Sequence, residues 1–227
     1  MMNAPWQLAS ETVELRTAGT VWWPGGGLLV VGDLHLGRAE GMARRRQPFL
    51  PPYAEHDTLQ RLSAEIAATT PTTLALLGDS FDDAESADAT AARLAEPFAA
   101  FAARTRLIWI AGNHDPRPIA TLPGDWVGEL TLGPFELRHI AASTPPAPGR
   151  AEISAHFHPR AEILRRGARV RRRCFLADAK RVILPAFGTY TGGLDVRHPC
   201  MSGLVGADAA ALMIGRRVVP VPLDRLG

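Results

Sequence analysis

Leu28-Leu29-Val30-Val31-Gly32-Asp33-Leu34-His35 is the stretch on which the reading of this chain turns. Four consecutive apolar residues fit a buried strand. A glycine, a carboxylate and an imidazole follow almost at once. Asp33 and His35 are two apart, and in extended chain such positions point to the same side. One cation could therefore take an oxygen from Asp33 and a nitrogen from His35. The pattern recurs twice. Thr73-Leu74-Ala75-Leu76-Leu77 leads into Gly78-Asp79, and Leu107-Ile108-Trp109-Ile110 leads through Ala111 into Gly112-Asn113-His114-Asp115. In α/β sheets, sites lie beyond the carboxyl ends of the strands. Glycine allows the sharp turn that brings such groups together.

Two later runs complete the set, a lone His139 and the His156-Phe157-His158 pair. Besides His114 and Asp115, the runs offer two carboxylates, one amide oxygen and four imidazoles. That is enough to hold two divalent metal ions close together, an arrangement that cleaves phosphate esters. A donor set without thiolate suits manganese, iron or zinc. Cys174 and Cys200 lie outside the runs and show no zinc-ribbon spacing. Each run alone has a plain reading. Gly78-Asp79 could be a turn and Asn113 a helix N-cap. His56 and His198 read as surface or hydrogen-bonded residues. The order of the five runs carries the inference.

That ordered set (Asp-x-His, Gly-Asp, Gly-Asn-His-Asp, His, His-x-His) resembles the calcineurin-like metallophosphoesterases over roughly residues 28–160. Three further stretches resemble one branch, the bacterial ligase-associated DNA-damage-response endonucleases, which are manganese-dependent phosphodiesterases. They are Gly32-Asp33-Leu34-His35-Leu36-Gly37, His156-Phe157-His158-Pro159, and Leu184-Pro185-Ala186-Phe187-Gly188 with Thr191-Gly192-Gly193 after it. The resemblance implies that Asp33, His35 and His158 bind a first metal and that Asn113, His139 and His156 bind a second. Asp79 would bridge the two. His114 would bind neither; it would face the substrate and protonate the leaving group or steady the transition state while a hydroxide held by the metals attacks. It implies two manganese ions, with iron or zinc compatible with the donors. It also implies a DNA substrate, single-stranded or distorted, and an association with ligase or helicase repair proteins. The chain departs from the family pattern at Ala155, where glycine is usual. It also carries Asp83 in addition to the usual Gly-Asp-x-x-Asp, here Gly78 to Asp82.

Composition agrees with an enzyme of this kind. The 227 residues are 46% hydrophobic, which supports a large core and excludes a disordered chain. No apolar run reaches the length of a membrane span. Met1 to Ser10 lacks a signal-peptide pattern, and two cysteines do not make a disulfide framework; the expected location is cytoplasmic. The net charge is only +2, but the arginines are uneven. Arg44-Arg45-Arg46 is one cluster; Arg165, Arg166, Arg169, Arg171, Arg172 and Arg173 form a denser one. Arginine forks match phosphate oxygens and can track a nucleic-acid backbone. The alternative is a solvated strand edge whose charge blocks pairing. Arg38, close after Asp33, is a candidate phosphate contact or a plain surface residue.

Turn signals and periodicity predict a hairpin of Thr12–Arg16 and Thr20–Trp23, then the strand at Leu28. A break follows at Pro51-Pro52, then a helix from Glu55 to Thr69, with Leu59, Leu62 and Ile66 at helical spacing. An alanine-rich helix from Ala87 to Ala103 should be kinked or interrupted by Pro97. Trp126–Leu132 and Phe135–His139 read as a second hairpin, and Ser143–Gly149 as an exposed loop. Glu152–His156, Arg169–Leu176, Arg181–Leu184 and Leu212–Pro220 read as strands. Strand and helix alternate in the first half, and strands dominate the second. That order predicts a mixed α/β two-sheet sandwich forming a single domain over residues 1–227; the resemblance implies four layers, α-β-β-α. Two other functions stay open on sequence alone. One is a phosphoesterase for nucleotides or other small phosphoesters. The other is an inactive nucleic-acid-binding or partner-docking protein.

Overall fold

The computed structural model describes residues 2–48, 50–51 and 53–226. Of the Pro51-Pro52 break, Pro52 lies outside the described residues. The first sheet contains β1 (Ala4–Leu8), β2 (Glu11–Leu15), β3 (Val21–Trp23), β4 (Leu28–Val31), β5 (Thr73–Leu77), β6 (Arg106–Ile110) and β7 (Asp125–Val127), paired in that order. Strands β1 to β4 form an antiparallel meander, while β4 to β7 run parallel. The second sheet is built from β8 (Leu130–Leu132), β9 (Phe135–Leu137), β10 (Ala151–Ser154), β11 (Arg160–Arg165), β12 (Ala168–Ala177), β13 (Arg181–Ile183), β14 (Ala210–Ile214) and β15 (Val218–Pro222). Its order is β15-β14-β12-β13-β10-β9-β8, with β11 paired to β12.

The side-chain period of two decides what each sheet face meets. In β4, Leu28 and Val30 pack between the sheets, against Phe135, Ile153, Phe175 and Leu184. Leu29 and Val31 pack on the opposite face with Leu62, Ile66 and Phe98. Those last residues come from the helices α2 (Ala54–Thr69) and α4 (Ala95–Ala102). The same division holds in β5, where Ala75 and Leu77 face the second sheet and Leu74 and Leu76 the helices. This is why β4 and β5 read as continuous apolar runs: both faces are covered. On the outer face of the second sheet, Leu176, Ile183 and Met213 are covered by Val196, Met201, Leu204 and Val205. That covering segment contains one short 3-10 turn, Pro199–Met201. No helix among the described residues is long and apolar enough to cross a membrane.

The interruption expected from Pro97 is present: the Ala87–Ala103 stretch is two helices, α3 (Ala87–Arg93) and α4, joined at Leu94. Pro97 removes an amide and crowds the carbonyl four residues back, at Arg93, so the break falls there. Other boundaries differ from the expectations, each for a local reason. Trp126–Leu132 is not one strand. It divides at Gly128-Glu129 into β7, parallel to β6 in the first sheet, and β8, antiparallel to β9 in the second. Leu212–Pro220 is a hairpin of β14 and β15 that turns at Gly215. The strand β1, the helix α1 (Arg38–Arg44) and the strand β11 were not anticipated. Strand β1 alternates half-buried and exposed residues, α1 buries only Gly41 and β11 only Ala161, so hydrophobic periodicity is weak there.

One buried ion pair fastens the proline-rich loop to the second sheet. Glu152 and Arg181 are 1% and 2% exposed, and Arg181 Nε lies 2.8 Å from Glu152 Oε1. Arg181 also donates to the carbonyls of Ala142 (2.9 Å), Thr144 (3.0 Å) and Leu204. Removing the carboxylate strands a buried cation. Glu152→Ala should therefore lower unfolding stability by about 3–5 kcal/mol, read as a fall in the urea midpoint at unchanged slope.

Candidate metal centre

Five strand ends converge. Asp33 and His35 follow β4, Asp79 follows β5, His114 follows β6, His139 follows β9, and His156 and His158 follow β10. Two groups of three result, Asp33 with His35 and His158, and Asp79 with His139 and His156. Within each, one ligand atom per residue lies within 4.8 Å of the others. In the first group, His158 Nε2 is 3.4 Å from both Asp33 Oδ1 and His35 Nε2. In the second, His139 Nε2 is 3.4 Å from Asp79 Oδ2 and 3.2 Å from His156 Nδ1.

The backbone at these residues is strained. Asp33 (φ +54°), His35 (+46°), Asp79 (+46°), His156 (+69°) and His158 (+48°) all lie in the left-handed region. That region costs a non-glycine residue about 1 kcal/mol or more. It also corrects one step of the sequence reading. Asp33 and His35 do share a group, but not because the chain between them is extended. Bonds between loops hold the conformation. Asp33 N–H donates to Gly78 O (3.3 Å), His35 N–H to Asp79 O (3.0 Å) and Gly188 N–H to Asp33 O (2.9 Å). His156 N–H donates to Asp33 Oδ2 (3.1 Å).

Asp115 performs a task the motif alone did not reveal. Its Oδ1 accepts the amides of Asp79 (2.9 Å) and Gly112 (3.0 Å), and its Oδ2 accepts that of Ser80 (2.7 Å). It thereby clamps the loop after β5 to the loop after β6. Burial, together with the charge of Asp79, pushes its carboxyl up to about 6. Gly112 has to be glycine for the same reason: a Cβ there would sit 2.1 Å from Asp79 N.

The donors suit cations. Burial is the main cause that lowers His35 to about 4, so its ring is neutral and carries a lone pair. Burial and His139 likewise lower His156. His139 gives Nδ1–H to Leu77 O (2.7 Å), which turns Nε2 toward the group. Burial opposes charge on both His139 and Asp79. Their mutual contact outweighs it, raising the imidazole and holding the carboxyl well below the usual range. In each group, unprotonated-capable imidazole nitrogens face one another beside a carboxylate. A divalent cation fits that donor set and relieves the crowding of lone pairs. Asn113 is exposed and borders, with His139, a depression of about 250 Å³.

His114 belongs to neither group of three, although its Nε2 lies 3.9 Å from Asp79 Oδ2. Its Nδ1 meets the Asp82 carbonyl, and its amide donates to Asp79 Oδ1 (2.9 Å). The ring stands edge-on to His35, with centroids 5.4 Å apart, and the side chain is 42% exposed.

Residues 27–160 match the model of the calcineurin-like phosphoesterase family. The chain belongs to that family. It is a metal-dependent phosphoesterase with the two-sheet sandwich of its relatives. Among solved structures it is similar to nuclease MPE of Pseudomonas putida, at 27% identity and a TM-score of 0.76, over 96% of this chain and 100% of that one. A phosphoesterase from E. coli, Yfce, is 14% identical with a TM-score of 0.40, over 82% and 87% of the two chains. The comparison with curated proteins gives no match.

The arginines of this phosphoesterase divide. Arg38 is paired with the buried Asp82 (2.8 Å), which also takes Arg45 and lies 3.7 Å from His35 Nδ1. Arg44 pairs with Asp83. Of the dense cluster, Arg165 ends β11, Arg166 forms a left-handed turn with Gly167, and the rest lie in β12. Alternation puts Arg169, Arg171 and Arg173 on one face and Arg172 on the other, with Arg165. Arg169 pairs with Glu162 (3.1 Å). Arg173 is largely buried and donates to Ala18 O (2.9 Å), holding the β2–β3 turn. The six are therefore not one continuous track.

Gly112→Ala should separate site from fold. The new methyl would force the Asp79 amide aside, so bound metal measured by elemental analysis should fall below half. The far-ultraviolet circular dichroism should stay native-like. Full metal content in this variant would contradict the clamp.

Proposed function

We propose that the enzyme is a dinuclear phosphodiesterase that cuts DNA internally, on single-stranded or distorted substrates, in DNA repair. The observation that carries this reading is His114, a half-exposed imidazole fixed beside both ligand groups and belonging to neither. A binding module would need no such residue. The similarity to a nuclease along nearly the whole chain favours nucleic acid over smaller phosphoesters.

In this reading Asp33, His35 and His158 hold a first divalent ion, and Asn113, His139 and His156 a second. Asp79 serves both; its charge reaches His35 as well as His139. Manganese is the favoured metal. Two bound cations would supply charge to the phosphoryl oxygens and activate water as the nucleophile. The protein's part is to place and protonate. The Asp82 carbonyl orients the His114 ring through Nδ1, leaving Nε2 to give its proton to the leaving oxygen. The buried carboxylate of Asp82 lies 3.7 Å from His35 Nδ1, close enough to act on that ring through its charge. We further propose a single domain over residues 1–227, action in the cytoplasm, and work alongside ligase or helicase repair proteins.

A metal screen against a chromogenic diester, a monoester and circular single-stranded DNA tests the reading. Loss of the circle, which has no ends, establishes endonuclease activity; hydrolysis of the monoester alone would overturn it. Two substitutions test the roles. Asp79→Ala should lose turnover and metal together, because one carboxylate serves two cations. His114→Ala should keep its metal and lose roughly 10²–10⁴-fold in rate, and the loss should shrink for acidic leaving groups. Metal lost in parallel with rate in His114→Ala would make that residue a ligand instead.

A further inference from the structure

A cavity of about 310 Å³ opens beside His158. Its wall carries three guanidiniums, Arg61, Arg160 and Arg173, one carboxylate, Asp57, and the ring of Tyr190. The cations outnumber the anion three to one. Most of their internal bonds go to neutral groups and do not cancel the charge. Arg160 gives Nη2 to Thr191 O (3.2 Å), Arg61 gives Nη2 to Phe187 O (2.6 Å) and Thr189 Oγ1 (2.8 Å), and Arg173 donates to the Ala18 carbonyl. Only Arg61 Nε meets Asp57 (3.1 Å). Burial, with the neighbouring charges of Arg61 and Arg160, brings the Arg173 guanidinium down to about 10. The cavity is a crowded cationic pocket with a single carboxylate in its wall.

The aromatic component is just as unusual. The chain has two tyrosines, and Tyr190, which lines the cavity, is 48% exposed. Tyr190 sits in the left-handed region at φ +63°. A large ring on strained backbone, facing water, gains nothing for packing.

A guanidinium fork recognises a phosphate, and an exposed ring offers a stacking face to any base. We infer that this cavity holds the nucleotide next to the scissile bond, its phosphate on Arg160 and Arg61 and its base stacked on Tyr190. The inference rests on the nuclease reading and deepens it. His158, two residues before Arg160, belongs to the first ligand group, so the subsite adjoins the reacting phosphate. Stacking on Tyr190 requires a base turned out of a duplex, which makes unpaired DNA the preferred substrate.

The test compares a dinucleotide with trinucleotides extended on the 5′ or the 3′ side, using manganese-loaded enzyme. Stacking free energies for single strands correspond to gains of roughly 5- to 150-fold. The wild type should therefore gain about tenfold or more in kcat/KM from one of the two extensions. In Tyr190→Asn and in Arg160→Gln the gain should fall below about threefold, carried by KM. Asparagine tolerates the left-handed backbone. Melting temperature and metal content establish that each variant is folded; should Arg160→Gln fail to fold, the exposed Tyr190→Asn decides alone. A full gain retained in a folded variant overturns the subsite. If the wild type hydrolyses the chromogenic diester but no oligonucleotide, the nuclease reading falls and the subsite with it.

Discussion

Five strand ends from two sheets can share one site only if the chain turns almost as soon as each strand stops. That constraint explains most of what is unusual in this molecule. Asp33, Asp79 and His156 follow their strands within two residues and lie in the left-handed region; His35 and His158 join them there two residues later. No single contact holds such a backbone. It is over-determined by loop-to-loop hydrogen bonds from Asp33, His35, His156 and Gly188 and by the Asp115 clamp. Close approach also dictates the glycines. A Cβ at Gly78 would lie 2.6 Å from His139 Nδ1, and one at Gly188 would lie 2.2 Å from Leu34 O. The strain is localised where the chemistry is, as expected when a scaffold pre-organises a site.

Charge is arranged by the same logic. Asp33, Asp79, Asp82 and Asp115 are all nearly fully buried, a costly density of carboxylates. Each has a distinct counterweight. Asp115 takes three backbone amides, and Asp82 takes two arginines. Asp79 takes an amide and His139. Asp33 takes an amide and the edge of His158. The first two are satisfied by protein alone and serve geometry. The last two lean on imidazoles, which can exchange a proton for a metal. The distinction separates the carboxylates that shape the site from those offered to cations.

Which parts were legible in the sequence follows from the range of the forces involved. Strands β4, β5 and β6 were readable because burial on both faces leaves an unbroken apolar run. The ligand groups were readable because their order along the chain repeats a strand-then-ligand rhythm. Strand β11 and helix α1 were not, since each buries only one small residue, Ala161 and Gly41, and so shows no apolar period. The division of Trp126–Leu132 between two sheets is a tertiary decision; the local sequence there contains only a glycine. Asp115 sat inside a recognised motif, but its clamp depends on amides 35 and 36 residues away. Strand alternation alone divides the arginine cluster between two faces, but sequence spacing cannot say what each face meets. Strand register assigns Arg173 to a buried structural task and Arg172 to the far side.

Ala155 shows how such a crowded centre accommodates change. Glycine is usual at this position in the resemblance that the motifs carry, and alanine would be costly if the backbone there were left-handed. It is not; the positive φ falls one residue later, at His156. The methyl is fully buried and points at Gly32, where a Cβ would come within 2.6 Å of it. Space between β4 and β10 therefore admits one methyl, and this chain places it on the β10 side. A buried methyl contributes about 0.8 kcal/mol, so the departure adds packing between the sheets. The constraint at this point is on the pair, not on either residue alone.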